Sequence, residues 1–113
     1  DFKSRGLSMT AWSLASLGFL ALPLLEAIAR AVVERLSEAS PQDLSNTSWS
    51  FATLCVSDQP LLAAISGAAV RKMQQFLAQD ISSTAWAFAK LLYLDVPLLN
   101  ALSGAAVQKM PQC

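Results

Sequence analysis

The chain has no histidine among its 113 residues. It therefore lacks the side chain best suited to proton transfer near neutral pH, which is also the commonest metal ligand. Glycine is scarce, at four residues. Two of these, Gly67 and Gly104, fall inside helical pattern rather than after a strand, so they cradle no phosphate; they are expected to let helices approach closely. Cysteine is limited to Cys55 and Cys113. At unrelated positions these give neither a disulfide framework nor metal-ligand spacing, and both read as buried or incidental thiols. Charge is sparse and balanced, with eight cationic and eight acidic residues. A net charge of zero offers no electrostatic case of its own for nucleic acid or an anionic membrane. The longest weakly charged run, 6–25, carries Ser, Thr and Pro and reads as packed helix, not as a membrane span. Asp58 and Asp95 sit at equivalent turns and look like helix caps, not an acid/base pair. No catalytic residue, metal, cofactor or small-molecule substrate is expected, and the chain is not read as an enzyme.

What the chain does have is a repeat. Trp12, Trp49 and Trp86 are spaced 37 residues apart. Thr10, Thr47 and Thr84 keep that interval, as do Leu17, Leu54 and Leu91 and the Pro-Leu-Leu triplets opening at Pro23, Pro60 and Pro97. The string SGAAV at 66–70 returns at 103–107. A fixed period of this size marks stacked supersecondary units, each unable to bury its apolar face alone. The predicted fold is all-α: one α-solenoid over 1–113 made of three helical hairpins. The repeats are assigned to 7–43, 44–80 and a truncated 81–113. Phe2 and Cys113 fall at equivalent positions of the period, which predicts either a longer parent protein or partners that cover the ends.

Within one unit, Ser45 or Asn46 is expected to cap helix A, with Asp43 just outside it near the positive end of the dipole. Helix A should run to about Cys55–Val56. Asp58-Gln59-Pro60 then caps helix B, with proline in the first turn where its missing N–H costs nothing. Helix B should end near Phe76, and Ala78-Gln79-Asp80 should turn the chain into the next unit.

Comparing the copies of helix A at about 100° per residue separates its faces. One holds Ser8, Trp12, Ala15 and Phe19, with Ser45, Trp49, Ala52 and Val56 and then Ser82, Trp86, Ala89 and Tyr93 as equivalents. A second holds Thr10, Leu14 and Leu17, Thr47, Phe51 and Leu54, and Thr84, Phe88 and Leu91. Both are expected to pack against neighbouring units, with Trp12, Trp49, Trp86, Leu17, Leu54 and Leu91 as the main packing residues, because an indole buries a large area. A third stripe, Leu44, Ser48 and Cys55, should meet helix B of the same unit. The fourth is polar and changeable: Met9, Ser13 and Ser16; Asn46, Ser50 and Thr53; Ser83, Ala87 and Lys90. Spacing of i, i+4, i+7 puts each trio on one side of its helix, facing a groove along successive A helices.

The strings LSNTSWSFATL and ISSTAWAFAKLLYLDVPLLNAL resemble the L-S-N-T-A-W-A-F-A-K-L…P-L-L signature of heptatricopeptide and octotricopeptide repeat proteins, arrays often linked to a RAP domain. The likeness covers essentially the whole chain. It implies an organellar protein, mitochondrial or plastid, whose helix A side chains face single-stranded RNA. The RNA-facing positions would be Met9, Ser13, Ser16, Asn46, Ser50, Thr53, Ser83, Ala87 and Lys90. The alternative is an architectural subunit whose partners are proteins of a large organellar assembly such as a ribosome or a photosynthetic or respiratory complex. High apolar content, neutrality and uncapped ends favour that alternative.

Overall fold

The computed structural model describes residues 3–18, 21–91 and 96–109. Phe2, Phe19, Tyr93, Asp95 and Cys113 lie outside these. Among the described residues there are six α-helices and no strand: α1 (Ser4–Leu17), α2 (Leu22–Glu34), α3 (Pro41–Thr53), α4 (Gln59–Lys72), α5 (Ala78–Lys90) and α6 (Val96–Lys109). Short 3-10 turns follow α2 (Leu36–Glu38) and α4 (Met73–Gln75).

The A helices start earlier than the sequence predicts. α3 begins at Pro41, because Ser40 caps it: the Ser40 hydroxyl accepts from the Asp43 N–H at 3.1 Å, and Asp43 Oδ2 accepts from the Ser40 N–H at 3.1 Å. This reciprocal box satisfies two orphan donors, and proline in the first turn needs none. Ser45 and Asn46 are therefore inside the helix, and Asp43 is its third residue. In α5 the same position is Asp80, whose Oδ2 accepts from the Leu77 N–H at 2.9 Å. Ala78-Gln79-Asp80 is thus the first turn of α5, and the reversal lies at Phe76–Leu77. The cap of α4 is as expected, with Asp58 Oδ1 accepting from the Leu61 N–H at 2.9 Å.

α3 ends at Thr53, not Cys55. The Val56 N–H donates back to the Phe51 carbonyl and the Cys55 N–H to that of Ala52, a reversal that requires a left-handed residue between them. Cys55 takes that conformation with φ 58°, as Gly18 does with φ 67° at the matching end of α1. Its thiol is consequently exposed, neither buried nor turned toward helix B. The glycines inside helix B are not contact points either. A β-carbon on Gly67 would meet nothing nearer than Arg71 Nη1 at 3.5 Å, and one on Gly104 would meet nothing within 4 Å.

α3 lies between α1 and α5, and α4 between α2 and α6; each odd helix also packs on the even helix that follows it. The large buried side chains, among them Leu25, Leu44, Phe51, Leu62, Ile65, Phe76 and Phe88, fill the space between the two rows. The odd helices meet through small residues: Ala15, Ser48, Ala52 and Ala87 are buried, which lets their backbones approach at interior packing density. The molecule measures 45 × 25 × 22 Å along its principal axes. No described helix is long and apolar enough to cross a membrane.

Candidate functional site

Exposure around the odd helices follows the 37-residue period of the sequence. Residues buried in α1 and α3 but exposed in α5, namely Ser8/Ser45/Ser82 and Ala15/Ala52/Ala89, point toward the next odd helix. Those exposed or half-buried in α1 but buried in α3 and α5, Thr10/Thr47/Thr84 and Ser13/Ser50/Ala87, point toward the preceding one. One stripe remains open on all three helices. It carries Arg5, Gln42 and Gln79; Met9, Asn46 and Ser83; Trp12, Trp49 and Trp86; and Ser16, Thr53 and Lys90. On each helix the four sit at i, i+4, i+7 and i+11, a single face.

The open face therefore combines part of the changeable stripe with the tryptophans. Ser50 and Ala87 do not belong to it. Both are 0% exposed, and the Ser50 hydroxyl donates to the Asn46 carbonyl. Ser13 is exposed because no odd helix covers that side of α1, and its hydroxyl donates to the Met9 carbonyl. Thr53 turns its hydroxyl inward, where the oxygen is buried without a partner, so only its methyl side faces out. Met9, Ser16, Asn46, Ser83 and Lys90 stay on the open face. Among the packing residues, Leu54 and Leu91 lie partly buried against the core, but Leu17 is 81% exposed.

The tryptophans are the largest departure from expectation. Trp12 and Trp86 are 42% and 45% exposed, and Trp49 is half-buried. Phe51 and Phe88, two residues further on, carry the aromatic packing at 1% exposure each. A step of two residues is about 200° around a helix, so only one of the two aromatics can point inward. The Trp12 and Trp49 ring centroids stand 6.4 Å apart at an interplanar angle of 30°. Lys90 Nζ lies 5.1 Å from the centre of the Trp86 ring, a cation–π distance.

Charge on the odd helices is only partly paired. The only acids of the odd helices are Asp43 and Asp80, and both are buried between helices. Asp43 Oδ1 accepts from Arg5 Nε at 2.8 Å and from the Ser8 hydroxyl at 3.2 Å. Burial by itself raises the pKa of this carboxyl; the hydrogen bonds from Arg5 and Ser40 and the guanidinium charge outweigh it and hold the pKa below its ordinary value. Asp80 repeats the arrangement with the Ser45 hydroxyl at 3.3 Å, while Gln42 takes the place of Arg5. The exposed carboxylates Glu26, Glu34 and Glu38 stand on α2 and the turn after it. Arg5, ion-paired with Asp43, and Lys90, set over Trp86, are thus the exposed charges of the open stripe, alongside flat aromatic surface, the Asn46 amide and the Ser83 hydroxyl.

The Ser–Asp lock between successive odd helices escaped the sequence reading although its signal was present. Ser8, Ser45 and Ser82 share the period, and so do Asp43 and Asp80, but the first copy carries Gly6 where an acid would stand. Comparison of the chain with protein-family models and with curated proteins finds no match.

Proposed function

We propose that the chain is a non-enzymatic α-solenoid of three helical hairpins that binds single-stranded RNA along the open face of α1, α3 and α5. The observation that carries this reading is the composition of that face: aromatic rings, hydrogen-bonding side chains and cations, with the nearby carboxylates withdrawn between helices. Lys90, which stands over Trp86 and apart from the Arg5–Asp43 ion pair, offers a cation to a phosphate backbone, the part of RNA that supplies most non-specific affinity. The resemblance to heptatricopeptide and octotricopeptide arrays points the same way and adds an organellar setting. Asn46 can pair with a base edge in two directions and Lys90 can reach a phosphate.

Fluorescence anisotropy with a labelled RNA 12-mer at low salt tests this. Binding should weaken as salt rises, and Lys90→Ala should lower the slope of log affinity against log salt by about one or less, the loss of a single counterion-releasing contact. Absence of RNA binding at low salt would give precedence to a second reading, a scaffold for protein partners in an organellar assembly. One specific observation favours that reading: the outer edge of the α1–α2 pair leaves an apolar groove open among Leu7, Leu24, Ala27, Ile28 and Ala31.

A further inference from the structure

We infer that Trp12, Trp49 and Trp86 form a ladder on which successive bases stack, an inference that rests on the RNA reading above. Packing accounts for their position only in part, through the Trp12–Trp49 stack. Phe51 and Phe88 are enclosed at 1% exposure, whereas Trp12 and Trp86 are 42% and 45% exposed and Trp49 is half-buried at the same repeat position between them. Apolar surface exposed in a row marks a contact site.

The ring geometry suits planar guests. The Trp12 and Trp49 ring centroids are 6.4 Å apart with their planes inclined by 30°, so the two indoles of neighbouring helices already share one aromatic surface that a base can extend by stacking on its exposed side. Trp86 is 45% exposed with the Lys90 ammonium 5.1 Å from its ring centre, which places a cation beside its open ring surface, where a phosphate would pass. Every base has a π-face, so such a ladder tolerates sequence and leaves discrimination to Asn46 and Ser83. Charge selects this occupant over a proline-rich peptide, which also favours aromatic grooves: Lys90 stands beside the indoles, and among the described residues of the stripe no carboxylate is exposed, which complements an anionic chain.

The test compares oligoadenylate with an abasic ribose-phosphate oligomer of equal length, read by tryptophan fluorescence and by anisotropy at low salt. Oligoadenylate should quench the indole emission and bind at least about fivefold tighter than the abasic strand. Trp12→Ala and Trp86→Ala should each weaken oligoadenylate about fivefold or more, and weaken the abasic strand by a smaller factor. Trp→Phe variants, which keep a ring, should retain most of the binding, and circular dichroism checks that helicity is preserved. Equal affinity for the two strands without quenching would overturn the ladder while leaving RNA binding along the face intact. Failure of both strands to bind would overturn the ladder together with the RNA reading. Quenching by a proline-rich decapeptide but not by oligoadenylate would overturn it in favour of a peptide groove.

Discussion

Asp43 is the residue on which the α1–α3 contact turns. Its carboxylate closes the cap of α3 and accepts from the Arg5 guanidinium and the Ser8 hydroxyl of α1. Asp43→Ala leaves a backbone N–H and the Ser8 hydroxyl without their acceptor, at a cost of about 2 kcal/mol in urea unfolding. Asp80→Ala should cost less, since no arginine faces it. The pKa of Asp43 is lowered in the folded chain from the ordinary 3.8. A depressed carboxyl contributes stability that is fully present above its unfolded pKa and is lost as pH falls through the folded one. Melting temperature should therefore drop below about pH 4, more steeply in the parent than in Asp43→Asn. Equal acid sensitivity in the two would mean that the Arg5 pairing adds nothing to the fold.

At the scale of elements, the odd helices are held together by what they omit. Small side chains at the shared faces let α1, α3 and α5 come close, and bulk at those positions has to force them apart. Ala52, at 0% exposure, and Ala89, which is exposed, hold the same place on α3 and α5. Ala52→Leu should destabilise by about 1–3 kcal/mol through overpacking. Ala89→Leu should change stability by less than about 0.5 kcal/mol, as for other exposed sites. Matching losses from the two substitutions would contradict the assignment of this face to the next odd helix. Trp49→Ala belongs between these limits. A fully buried indole is worth about 3–5 kcal/mol on truncation, and Trp49 is half-buried.

For the whole molecule, the rows of helices end in faces that match the ones buried between them. Leu24 is 44% exposed on α2, while its equivalents Leu61 and Leu98 are each 1% exposed. At the other end Leu99 is 42% exposed, against 0% for Leu25 and Leu62. A second copy can therefore dock its α1–α2 edge on the α5–α6 edge of the first, repeating the internal step. Gly6 supplies no acceptor for Ser82 in that contact, so it lacks the polar lock and should be weaker than the internal ones. Because the two surfaces differ, the association need not close into a dimer. Sedimentation velocity should show mass rising with concentration, and Leu24→Lys should reduce it. A monomer at high concentration would show that these edges do not meet.

The sequence by itself determined the period, the all-helical class, the six helices and the Asp58 cap, because repetition, proline placement and helical spacing are local and leave their marks in order along the chain. It also separated most of the faces of the odd helices, so that Ser8, Ala15, Thr47 and Leu44 fell on the sides that neighbours cover. It did not determine which stripe stayed open. Trp49 and Phe51 are both large and apolar, yet they lie about 200° apart around α3, and periodicity alone cannot say which of them points at the core. Nor could it reveal that Ser50 is enclosed while Asn46, one turn earlier, is only half-buried. Those outcomes depend on how closely the odd helices approach and how they are rotated about their axes, which the small residues at their contacts and the Ser–Asp locks fix together. Only the assembled rows turned the tryptophans outward, because Phe51 and Phe88, with Leu14 at the matching place on α1, take the side that packs on the core.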